Sequence, residues 1–191
     1  MRVRQLLRTG LLLVLAGSSG CVRWDEVRPS GGGFVVQIPG SHPCNRSRGP
    51  AEFGALPGWL CSGGDATSYS RSFGTYLAYA YALPPGQDLK VVKRAVEADM
   101  IAGAQAERAE IVSTAERSLA GATWSESTLE GGATTSRPWR TAHLSLVRAE
   151  GVFILTVTGP RDAWPEKGAE RFLRSFQFVG RPGDVSPPSR S

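Results

Sequence analysis

Residues 138–147 and 152–158 form two runs in which large apolar side chains alternate with small or polar ones, joined through Ala149, Glu150 and Gly151. Alternation with period two sorts side chains onto the two faces of a strand. Two such runs around a short polar link predict an antiparallel hairpin, which Gly159-Pro160 then ends. An isolated hairpin is marginal in water, so the remaining elements must extend the sheet and cover it.

The same patterning organises the rest. Phe34, Val36 and Ile38 share one face of a short strand closed by Pro39-Gly40. Residues 41–65 are rich in glycine and proline and are expected to be a long loop, or a loop with one poor strand. Residues 69–83 predict two strands broken near Gly74, of which 75–83 is the clearer. Pro84-Pro85-Gly86 ends it, and Asp88 can cap a helix over 88–108 whose inner stripe is Leu89, Val92, Val96, Met100 and Ala104. Residues 111–119 and 124–129 predict two strands around Gly121. A second helix, 163–175, is capped by Asp162 and presents Ala169, Phe172 and Leu173, with Phe176 just beyond. A short strand, 177–179, closes the domain. With so few helices the strands cannot alternate with them, so the expectation is an α+β fold: a mainly antiparallel sheet of about six strands with two helices packed on it.

The first twenty residues read differently. Arg2, Arg4 and Arg8 precede an apolar run from Leu11 to Ala16, and Ser18, Ser19 and Gly20 lead to Cys21. This is the charged, apolar and small-residue order of a secretory signal peptide, and the apolar run is far short of the roughly 20 residues a spanning helix needs. The segment Leu15-Ala16-Gly17-Ser18-Ser19-Gly20-Cys21 resembles a bacterial lipobox, which implies a diacylglycerol on the Cys21 thiol and cleavage just before it. Ser18 stands where leucine is commoner, and cleavage after Ala16-Gly17-Ser18 is the alternative, leaving a soluble periplasmic protein. Val22, not aspartate, after the cysteine favours the outer membrane under enteric-type sorting. The domain plan is therefore signal peptide 1–20, lipidated N-terminus and flexible tether 21–33, α+β domain 34–179 and disordered tail 180–191. The tether, with three consecutive glycines, would span on the order of 20 Å.

Removing the signal changes the charge and cysteine balance. Three of the 22 basic residues lie in it, leaving 19 against 17 acidic ones. No basic patch interleaved with aromatics remains, so nucleic acid is not an expected partner. With Cys21 acylated, Cys44 and Cys61 are an even pair in an oxidising compartment and are expected to form a disulfide. The alternative is a nucleophilic thiol served by His42 or His143.

The layout and three local signatures resemble the Mog1/PsbP-like fold, in particular small exported bacterial proteins related to PsbP. They are the opening strand closed by Ile38-Pro39-Gly40, the tyrosine-rich strand running into Leu83-Pro84-Pro85 and a long helix, and the ending Leu155-Thr156-Val157-Thr158-Gly159-Pro160, a helix and Phe172-Leu173-Arg174-Ser175-Phe176. The resemblance implies the fold and a tendency to bind other proteins or assist assembly. It implies no catalytic residue.

No elbow, zincin, CxxC or phosphate-loop motif occurs in the mature chain, and no metal site or cofactor is expected. Glu126 and Glu130 share a strand face and read as solvated. Aromatic residues carry the remaining signal: Tyr69, Tyr76, Tyr79, Tyr81, Trp124 and Trp139 could line a cleft, with His143 on the strand face opposite Leu144 and Leu146. A surface of Tyr76, Tyr79, Trp124, Trp139 and His143 is the candidate for a ligand or partner. The leading expectation is a non-enzymatic, membrane-tethered module that binds a partner protein or takes part in assembly; the alternative is a periplasmic small-ligand binder using the aromatic cleft.

Overall fold

In the computed structural model the expected hairpin is formed by two ten-residue strands, β8 (Trp139–Arg148) and β9 (Gly151–Pro160), in register from Trp139 opposite Pro160 to Arg148 opposite Gly151. The structure describes residues 23–40, 43–49, 56–64, 74–132 and 138–183. The signal segment, Cys21, His42 and Tyr69 lie outside the described residues, as does the first of the two strands expected over 69–83. Around the hairpin the chain adds β3 (Asn45–Arg48), β4 (Pro57–Gly64), β5 (Thr75–Ala82), β6 (Glu110–Leu119) and β7 (Ala122–Gly131). These make one antiparallel seven-stranded sheet in the order β3-β4-β5-β9-β8-β7-β6. A smaller antiparallel sheet sets β2 (Phe34–Pro39) between β1 (Trp24–Val27) and β10 (Gln177–Phe178). With helices α1 (Leu89–Ala106) and α2 (Glu166–Ser175) the fold is α+β.

Alternation decides what each face buries. Tyr76, Ala78, Trp124, Leu144, Phe153, Leu155 and Val157 point to one side of the large sheet and meet Phe34, Val36 and Ile38 of β2 and Phe172, Leu173 and Phe176 at α2. The side chains of Trp124, Phe34, Phe172, Leu144 and Leu155 are wholly excluded from solvent there. Burial of an aromatic or large aliphatic side chain contributes about 1.5–3 kcal/mol, so this face carries most of the core. The opposite face has a smaller cluster, Leu56, Tyr81, Leu83 and Val152 against Val92 and Val96 of α1.

Several boundaries differ from the sequence expectation. The segment 21–33 is not wholly a tether: Trp24–Val27 pairs with β2, and the domain begins by Arg23. Part of the expected tail is tied to the domain: the Gly183 amide donates to the Gly31 carbonyl at 2.7 Å, and Val179 just before the tail donates to Gly33 at 3.0 Å. The rest of that tail, 184–191, lies outside the described residues. The expected loop 41–65 contains β3 and β4, stapled by a disulfide between Cys44 and Cys61. Helix α2 starts at Glu166, not at 163, and Pro165, not Asp162, precedes it. The physical reason is that a residue before proline is driven out of the helical region, which bars Trp164. Helix α1 begins after Asp88, whose side chain accepts from the Lys90 amide at 2.9 Å.

Candidate functional site

The face of the large sheet beneath α1 carries polar side chains that a pure core would not. Parity places Thr141, His143 and Ser145 of β8 on this side with Thr156 and Thr158 of β9, Ser127 of β7, and Tyr79 and Tyr81 of β5. Ser127, Thr141 and Ser145 are buried polar residues. Buried hydroxyls need partners; those of Thr141 and Thr158 find each other across β8 and β9 at 2.8 Å. The next pair along, His143 and Thr156, is looser, with Nδ1 3.5 Å from Oγ1.

Helix α1 covers this face incompletely, because only Val92, Val96 and Ala104 of its eighteen residues are buried. Two hollows result. One, of about 370 Å³, lies under the C-terminal half of α1 against Tyr79, Trp139, Thr141, His143 and Thr156. The other, of about 490 Å³, lies between α1 and β6–β7 against Thr114, Ser127, His143 and Ser145. His143 and Met100 border both. Gly103 and Thr114 are exposed walls, so each hollow opens to solvent.

His143 is the chemical centre of this arrangement. Its Nε2 is shielded from solvent and has no hydrogen-bond partner among the described residues, a condition that costs about 1–3 kcal/mol. Burial pushes the imidazole down to about 4, so it is neutral at pH 7 with one N–H and one lone pair. Burial also raises Tyr79, and pushes Tyr81 up to about 12 with help from neighbouring Tyr79 and Asp99. Both phenols therefore keep their protons. The two rings stack at 6.3 Å. The floor thus offers neutral donors, neutral acceptors and aromatic surface.

The structure divides the sequence-derived candidates. Tyr79, Trp139 and His143 share one hollow. Tyr76 and Trp124 do not join them: at 2% and 0% exposure they belong to the opposite core, which corrects their assignment to a ligand or partner surface. Trp124 donates its indole N–H to the Leu119 carbonyl at 3.0 Å, and Tyr76 packs edge-on against Phe172 and Trp24. Cys44 and Cys61 are paired, so neither is a free thiol beside His143. Glu126 and Glu130 are not a solvated acid pair either. Arg117 sits 3.6 Å from Glu126, and Glu130 takes Arg140 at 2.7 Å and Arg161 at 3.0 Å, as half-buried ion pairs. Sequence pattern gave Met100 to the inner stripe of α1 but not to a site, and did not single out Thr141, Thr156 or Thr158 for one; strand parity with His143 was the available signal for the threonines.

Among the described residues no cluster of three or more His, Cys, Asp or Glu side chains could hold a metal ion. Among them also, no helix is long and apolar enough to cross a membrane. No protein-family model and no curated protein matches the chain. Among solved structures, a protein of Bacteroides thetaiotaomicron with a crystal structure at 1.50 Å is similar to it, with a TM-score of 0.47 and 11% identity. The match covers 81% of this chain and 48% of the other, so this chain spans about half the length of that protein.

Proposed function

We propose that this chain is an exported, lipid-anchored binding domain that holds a small molecule between α1 and the polar face of its large sheet. The observation that carries the reading is His143, whose side chain borders both hollows and whose buried Nε2 has no hydrogen-bond partner among the described residues. Buried polar atoms in native proteins are nearly always satisfied, and a bound ligand is a natural partner for this one. Apolar and aromatic walls with a few convergent polar groups are the usual make-up of a ligand site. Among the described residues the imidazole meets one side-chain polar group, Thr156, and no carboxylate orients it. That supports binding over general-base chemistry, where an orienting acid is the common arrangement.

The experiment is a fragment screen on the purified protein read by the imidazole resonances of His143. Binders should shift those resonances and lose most of their affinity in His143→Phe. A screen whose hits bind the variant equally well would refute the site. The anchor is supported by the signal-like N-terminus and the cysteine that ends it. Mass spectrometry of the mature N-terminus tests it, since an unmodified start upstream or downstream of Cys21 would remove it. The order of elements fits the resemblance to PsbP-related exported proteins, and we take that as the finer fold assignment.

A protein partner is the second reading. Strand β6 ends the sheet order among the described residues, and Val112 on it is 46% exposed. An open, partly apolar edge can accept a strand from another chain. A pull-down with the acylated protein that recovers nothing in several growth conditions would count against this.

A further inference from the structure

Between the expected anchor and the fold the chain has almost no slack. Arg23 is already tied to the domain: its carbonyl accepts from the Gly40 amide at 3.0 Å, and the next residue, Trp24, pairs with Pro39. Cys21 stands two positions before Arg23. Two residues at full extension reach about 7 Å, close to the thickness of one headgroup layer, about 5–7 Å. A lipid on Cys21 would therefore bring Arg23 to the bilayer surface, together with the end of the domain on which it stands.

Strand register identifies that end. A Cβ on Gly40 would lie 2.9 Å from the Gly64 carbonyl oxygen. Gly64 lies opposite Thr75, and Thr75 opposite Thr158, two residues before Pro160 and its partner Trp139. Helix α2 also starts here, with Pro165 against Gly74. Three of the five tryptophans, Trp24, Trp139 and Trp164, stand at this end, and all three are half-buried. Tryptophan that packs one side of its ring and wets the other is characteristic of membrane–water interfaces. Arg171 lies over the Trp24 ring at 4.7 Å, and the Arg23 side chain is 87% exposed. Such side chains keep their stems on apolar surface while the charge reaches polar surroundings. The other two tryptophans, Trp59 and Trp124, are buried in the core. They share one level of the sheet with Phe153, seven residues back along β9 from Pro160.

We infer that this end of the domain, with Arg23, Trp24, Trp164 and Arg171, rests on the phospholipid headgroups of the membrane that holds the anchor. The turns at Gly121 and Glu150, at the opposite ends of the strands, then point away from the bilayer. The inference rests on the lipid-anchor reading above and adds to it the orientation of the domain.

The test uses the mature protein, labelled with 5-fluorotryptophan, in phospholipid nanodiscs whose headgroups carry a gadolinium chelate. Single replacements Trp24→Phe, Trp139→Phe and Trp164→Phe assign three fluorine signals and leave Trp59 and Trp124 as the other two. Relaxation by gadolinium falls with the sixth power of distance, and seven residues of strand place the two core rings about 23 Å further from the headgroups. Enhancement at Trp24 and Trp164 is therefore expected to exceed that at Trp59 and Trp124 by at least about tenfold. Mass spectrometry of the same sample reports the anchor independently. A smaller ratio, or its reverse, in protein that carries acyl chains on Cys21 overturns the orientation and leaves the anchor standing. A Cys21 without lipid removes the anchor and the orientation together.

Discussion

Across β7 and β8 the indole of Trp139 lies over the backbone of Gly131, its register partner, so closely that a Cβ on residue 131 would overlap the ring. The glycine lets the largest aromatic wall of the hollow lie flat on the sheet. In Gly131→Ala the indole must swing away. The expected loss of stability is about 1–3 kcal/mol from overpacking, together with weaker binding of any ligand that uses Trp139. Indole N–H spectra report this directly, because a Trp139 signal left in place would show that the ring does not depend on Gly131.

The buried imidazole makes stability depend on pH with a definite sign. His143 has an ordinary value of 6.5 and is held at about 4 in the folded chain. Between those values the unfolded chain takes a proton that the folded chain refuses. Its contribution is therefore fully present above pH 6.5 and is lost as pH falls toward 4, by at most about 3 kcal/mol. Glu170, held down first by a hydrogen bond from Arg117, loses its contribution below its ordinary 4.5, lower on the scale. Urea unfolding at pH 7.5 and 4.5 should show a larger loss in the unmodified protein than in His143→Gln. Equal losses would mean the imidazole is not desolvated.

Legibility in the sequence followed how strictly each segment keeps one period. Strands β8 and β9 alternate cleanly because one face meets a dry core, and the stripe Val92, Val96, Ala104 announces α1. Strand β4 was hidden by glycine. At Gly58 a side chain would strike the Tyr81 ring, so the residue that reads locally as a loop former is required by a neighbour across the sheet. Strand β1, Trp-Asp-Glu-Val, is too short to show a period and is fixed by β2. Within the candidate site, parity on β8 already put Trp139 and His143 on one side. Tyr76 and Tyr79, three apart on one strand, could not face the same cleft. Which face met the core depended on α2 and β2, and no local pattern carries that.

Helix α2 provides a case where propensity and packing predict opposite signs. Gly168 lies inside the helix, and replacing such a glycine with alanine ordinarily stabilises by up to about 1 kcal/mol. Here a methyl group would run into the Tyr76 hydroxyl and come within 3.7 Å of the Trp24 indole. Gly168→Ala is therefore expected to destabilise by about 1–3 kcal/mol. Adding Tyr76→Phe should recover part of the loss, a coupling that a double-mutant cycle measures. Stabilisation by Gly168→Ala alone would show that α2 has room to move off the sheet.

The staple between Cys44 and Cys61 closes a loop of 17 residues next to an edge strand. Strand β3 pairs with β4 alone among the described strands, and its four residues are mostly exposed. It therefore has little burial of its own to hold it once the crosslink is gone. In the chain-entropy account a loop of this size is worth about 3 kcal/mol. Cys44→Ala with Cys61→Ala is expected to lower stability by about that amount, and a reductant acting on the unmodified protein should do the same. The loss should be uneven. Amide exchange at 45–48 should quicken well before that of β5, β8 and β9, whose hydrogen bonds lie in the middle of the sheet. Exchange that quickens uniformly would mean that the disulfide holds the whole fold together and not this edge alone.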